Sequence, residues 1–144
     1  MTTLTASHAA HDTMTTEPQA SRAGIWSGRV LSGLISLFLI VDAAAKLALP
    51  AVVVEASQKV GVHVDTIRPI GAALLLSTVL HLVPRTQIIG AALITAYLGG
   101  AVATHVHSGT PFFMPIAMGV LLWVAYALRN RGFRELVLSD LSGR

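Results

Sequence analysis

Apolar residues run along this chain in long blocks rather than in alternation. Four blocks stand out, residues 26–49, 67–83, 87–106 and 112–128, each broken by few polar positions. A bilayer core takes about 20 residues of apolar helix, with roughly 17 to 25 tolerated, so all four are candidates to cross it. The second and fourth lie near the short limit. Period-two alternation is missing and the blocks are dense in Ala, Leu, Gly and Ile, so helices rather than barrel strands must satisfy the backbone in lipid. The pattern predicts an all-α membrane protein, a four-helix transmembrane bundle.

The connectors predict how the helices meet. Pro84, Arg85 and Thr86 make a short link between the second and third blocks, with Thr86 placed to cap the third helix, and HSGTP at residues 107–111 does the same for the third and fourth. Pro111 and Pro115 suit the start of a helix. A longer segment, residues 50–65, separates the first two blocks. Within it PAVVVEASQKVG predicts a short amphipathic helix, opened by Pro50 and closed by Gly61, with Val52, Val53, Ala56 and Val60 on one side and Glu55 and Lys59 four apart. Such a helix lies on the membrane surface across the mouth of the bundle.

Composition agrees with the block pattern: 53% of residues are hydrophobic, 12% are charged, and mean hydropathy is +0.69. An ordinary soluble domain of this length is far less apolar. The few charges are unevenly placed. With four crossings, one side carries Arg22, Arg29, Arg85, Arg129, Arg131, Arg134 and Arg144, and the other only Lys59 and Arg68. The positive-inside rule then places both termini in the cytoplasm and the amphipathic helix and HSGTP turn outside. The basic run RNRGFR reads as a stop signal meeting anionic headgroups in preference to a nucleic-acid site. Residues 1–23, rich in Thr and carrying His8 and His11, read as a disordered cytoplasmic tail with no metal site, 24–130 as the membrane domain, and 131–144 as a short basic cytoplasmic tail. A cleavable signal peptide ending near Ala43 to Ala45 is the weaker reading of the first block, because the apolar run resumes after Lys46.

Two charges fall inside that first block. At about 100° per residue, Gly28, Ser32, Ser36, Asp42 and Lys46 share an arc of about 120°, one small and polar face. Asp42 stands four residues before Lys46, the favoured order for a helical ion pair, so each lowers the other's desolvation cost. In the third block Tyr97, Thr104 and His105 share a face with Gly90, Ile94 and Ala101. An antiparallel bundle brings these faces to one end. Asp42, Lys46, Glu55, Tyr97, Thr104 and His105 are therefore the candidate residues of a polar pocket, roofed by the amphipathic helix; a sealed hydrogen-bond network is the competing reading. Convergence of His105, His107 and Glu55 on a metal is disfavoured, since two histidines two apart cannot share a helical face. Ser77 and His81 share a face near the inner end and suit an interhelical hydrogen bond.

The chain has no cysteine, so no disulfide, Fe–S cluster or thiol couple is available to it. Phosphate loops, dinucleotide fingerprints, nucleophile elbows and HExxH are missing too, which disfavours a self-contained enzyme. WSGRVLSGL, the DAAAKL step, VVVEA, LVPRT and above all YLGGAVATHV followed by GVLLW resemble the DoxX-like family over roughly residues 26–128. The resemblance implies a four-helix bundle in the bacterial plasma membrane. Through more distant relatives it implies an accessory role beside a redox or stress-related complex, and it supplies no agreed catalytic residues. Two functions follow. In the first the chain is a non-catalytic accessory or anchoring subunit, working with an oxidoreductase partner and admitting a quinone or another apolar ligand; no bound cofactor is predicted. In the second it is a small homo-oligomeric transporter or proton-coupled carrier using Asp42 and His105.

Overall fold

The structure, a computed structural model, describes residues 22–143, and these are helical throughout apart from short connectors. The elements are α1 (Arg22–Ala48), α2 (Ala51–Lys59), α3 (Val64–Leu82), α4 (Gln87–His107), α5 (Phe113–Arg129) and α6 (Arg131–Leu141). The expectations for the tail, including His8 and His11, lie outside the described residues but for its last two positions.

The long helices close into a ring: α1 packs between α3 and α5, and α4 packs between the same two on the opposite side. Ile35, Leu39 and Ala43 of α1 recur every fourth residue and meet Leu74, Ala91, Ile94, Leu98, Leu122 and Ala125 in the core. The outward faces are just as apolar. Leu34, Leu37, Phe38 and Val41 on α1 and Ile116, Val120 and Val124 on α5 are exposed. A helix apolar on all sides is suited to lipid and not to water.

Of the four expected crossings, α1 and α4 are long and apolar enough to span a membrane, and α5 with α6 makes a third candidate only as a pair bent by 108°. Local features set α3 and α5 apart from α1 and α4. Asp65, Arg68 and Pro69 occupy the first turns of α3, and α5 is 17 residues long. The segment expected as a basic tail continues as α6, capped by Asn130, whose side chain accepts from the Phe133 backbone N–H at 3.2 Å.

The α2 helix forms between Pro50 and Gly61 as its pattern predicts. Gly61, at φ 83°, lets the Val62 N–H reach back to the Ser57 carbonyl at 2.9 Å, the closing bond of a Schellman turn. The corner before it is turned by Leu49 at φ 52°, a left-handed conformation that costs a leucine about 1–2 kcal/mol.

Thr86 departs from its expected role. Its side chain makes no cap for α4 but donates backwards to the Leu80 carbonyl at 2.8 Å, closing the end of α3. That tight turn presses α4 onto α3. A Cβ built on Gly90 would stand 2.2 Å from the His81 nitrogen, so only glycine permits the approach. At the opposite end α3 and α4 have no short link, and the space between them is open.

Candidate functional site

The open end is the one that carries α2, and the polar face of α1 arrives there. Asp42 and Lys46, one turn apart, form an ion pair through Asp42 Oδ1. The second carboxylate oxygen accepts from the Tyr97 hydroxyl of α4 at 3.1 Å, across the diagonal of the ring. The Lys46 ammonium also stands 5.9 Å from the centre of the Tyr97 ring, within cation–π range. Both oxygens of the carboxylate are thus engaged, and the ammonium keeps donors to spare.

These groups border a cavity of about 590 Å³. Asp42, Lys46, Tyr97, Thr104 and His105 line it on the α1 and α4 sides. Ile67 and Ile70 of α3 face them, and Val52, Val53, Ala56 and Val60 roof it. Gly100 supplies bare backbone on the wall, and a Cβ there would meet nothing within 4 Å. A chamber with polar groups on its α1 and α4 sides and a mostly apolar remainder has the build of a small-molecule site.

The hydrogen bonds define what the polar groups can offer a guest. Thr104 donates its hydroxyl proton to the Ala101 carbonyl at 2.8 Å, so towards a guest it can only accept. His105 uses Nδ1 on the Thr110 hydroxyl at 2.8 Å, leaving Nε2 as its remaining ring nitrogen. The turn that places Thr110 is held by Gly109 at φ 66° and by the Thr110 N–H on the His105 carbonyl at 2.9 Å.

One candidate falls away. Glu55 is exposed and does not line the cavity, because the arc of α2 turned inwards is occupied by its valines, Ala56 and Ser57. His107 is exposed as well. Among the described residues no group of three or more His, Asp or Glu side chains is placed to hold a metal ion.

The other end of the ring holds a second polar cluster. His81 is buried, with Nε2 3.4 Å from Ser32 Oγ and Nδ1 3.3 Å from the Gln87 carbonyl. Arg129 of α5 donates to the same Ser32 hydroxyl at 2.8 Å. Ser77 takes no part, since its hydroxyl bonds back to the Ala73 carbonyl of its own helix at 2.7 Å. Sequence reasoning counted Arg129 only as a charge past the last span. Its signal was position, directly after the apolar block and at the depth of Ser32.

No curated protein and no solved structure matches this chain. Residues 30–127 match the DoxX-like family, and that stretch contains the core, the α2 roof and every residue of the cavity wall. With its apolar helices, this identifies a membrane protein: the chain belongs to the DoxX-like family.

Proposed function

We propose that the protein is a non-catalytic accessory subunit of a membrane redox or stress-related complex, and that its α2 cavity receives a small amphipathic molecule. The observation that carries this reading is the asymmetry of the cavity wall, with Lys46, Thr104 and His105 on the α1 and α4 sides and valines and isoleucines on the α2 and α3 sides. A quinone fits such a wall, its carbonyl oxygens accepting from Lys46 and its apolar body against α2 and α3. Supporting a binding role over a carrier role, Leu39, Leu74, Ile94 and Leu122 are fully buried in the core beyond the cavity and leave it a dead end.

In this reading residues 24–130 form one four-helix transmembrane domain in the bacterial plasma membrane. Both termini are cytoplasmic, the basic segment from 131 lies on the cytoplasmic face, and α2 is extracytoplasmic. The arginine and lysine asymmetry supports that orientation. Reporter fusions at residue 23 and after Leu128 should report cytoplasm and a fusion at Gly61 the outside; termini on opposite sides would remove one crossing.

The functional test is affinity purification of the full chain in mild detergent, with mass spectrometry of both its proteins and its small molecules. A stoichiometric oxidoreductase and a co-purified amphipathic compound are expected. Gly100→Leu, which fills the cavity without a clash at Cβ, should lose the compound and keep the partner. A lone homo-oligomer carrying no such compound would favour the carrier reading, with Asp42 and His105 as its proton-handling groups.

A further inference from the structure

A second concavity lies on the outward face of the ring, an open groove of about 550 Å³ between α4 and α5. It shares no residue with the α2 cavity. Gly99 and Gly119 form its floor: a Cβ on Gly99 would meet nothing within 4 Å, and one on Gly119 only Leu98 Cδ1 at 3.7 Å. Along α5 the groove runs from Pro115 to Ala127, about 18 Å at the rise of a helix, long enough for most of an extended acyl chain.

Its end is built differently from its middle. Trp123 donates its indole N–H to Thr95 Oγ1 at 3.0 Å, tying the two walls together. The same ring stacks on Phe133 of α6, with centroids 5.6 Å apart and planes at 25°. This contact ties α6 to a groove-lining side chain, with α6 turned 108° from α5 and therefore across the bundle axis. On α6, Phe133, Val137 and Leu141 fall within about 80° of one another, with Glu135 and Ser139 opposite them and Asp140 interrupting the stripe at its far end. Arg134 borders the stripe beside the stacked Phe133, and Val137 and Leu141 are exposed. An apolar stripe edged by arginine suits the boundary between acyl chains and headgroups.

We propose that the groove and α6 together bind one anionic phospholipid, its acyl chain on Gly99 and Gly119 and its phosphate at Arg134. The slot is apolar and open along its length, and Arg134, next to the Phe133 that stacks on groove-lining Trp123, has the side-chain type that best matches phosphate geometry. The proposal does not depend on the α2 cavity or its guest.

The test is native mass spectrometry of the full chain released from mild detergent, with phosphatidylglycerol or uncharged phosphatidylcholine added. One phosphatidylglycerol should be retained per chain in preference to phosphatidylcholine. Arg134→Gln should weaken retention about fivefold, the contribution of one basic residue near an anionic surface. Gly99→Leu should abolish it while leaving the thermal unfolding midpoint unchanged. Val120→Trp, from the opposite wall, should do the same and guards against a folding defect in either variant. Equal retention of the two lipids, or undiminished retention in both groove-filling variants, overturns the proposal. So does a dimer that Gly99→Leu dissociates, which would make a second copy the occupant.

Discussion

The two ends of the ring draw on the same helices and the same polar face of α1, yet one is packed and the other hollow. At the α6 end, Ser32 hydrogen-bonds to both His81 and Arg129, and the backbone of α4 lies directly on α3 at Gly90. At the α2 end, Asp42, Lys46 and Tyr97 also satisfy one another, but the wall they belong to encloses about 590 Å³. Connector length accounts for the difference. The turn at Pro84 to Thr86 pulls α3 and α4 together, whereas the α1 to α3 connection carries a whole helix and lays it across the gap. Polar residues in a bundle therefore mark a site only where the helices carrying them are held apart.

The sharpest way to break this comparison is to move bulk into each end. Gly90→Ala places a Cβ where the α3 backbone already stands and should cost about 3 kcal/mol, the upper range for overpacking, while Gly100→Ala at the hollow end should cost less than about 0.5 kcal/mol. Unfolding of both variants in detergent, followed by circular dichroism, measures the contrast. Equal costs would mean that the closed end is not close-packed.

His81→Ala should follow, at about 2–3 kcal/mol, because it empties a buried site and removes the partner next to Ser32. His105→Ala removes a half-buried ring from an open wall and should cost under about 1 kcal/mol, its effect falling on ligand retention instead.

Asp42→Ala strands the Lys46 ammonium. Breaking a fully buried pair costs about 3–5 kcal/mol; with Lys46 and Asp42 side chains 18% and 32% exposed, about 1–3 kcal/mol is expected. Replacing both by leucine should restore folded yield, as removing a pair whole leaves no charge unpaired. If the double variant also keeps the co-purified compound, the pair serves structure alone.

A smaller effect than that of Asp42→Ala is expected of Tyr97→Phe, which deletes one hydroxyl donor to Asp42 and should cost about 0.5–1.5 kcal/mol. A ligand shift larger than that stability change would place the Tyr97 hydroxyl in the site and not merely beside it.

Much of this was legible before any coordinates. Ion-pair spacing placed Asp42 with Lys46, and helical periodicity put Tyr97, Thr104 and His105 on one face, because both depend only on local helix geometry. The valine side of α2 and its stop at Gly61 were readable for the same reason. Glu55 was misplaced because its position depends on how α2 is rotated over the bundle, a tertiary choice made by the valines. Thr86 was misassigned because a threonine between two helices can serve either, and the turn geometry chose α3. The apolar blocks also did not reveal that α3 begins with charged turns or that the chain turns sharply after the 17 residues of α5.

The sequence by itself determined the solvent, the helices and the face each polar residue occupies, since hydropathy and a period of 3.6 residues are properties of the chain alone. Only the tertiary structure decided which faces meet: that Tyr97 reaches Asp42 across the ring, that Arg129 joins Ser32, and that Phe133 folds back on Trp123. It also decided that one end is filled and the other is not. Packing depends on distances between helices, and those are set by connectors and close-approach glycines whose consequences appear only once the chain is folded.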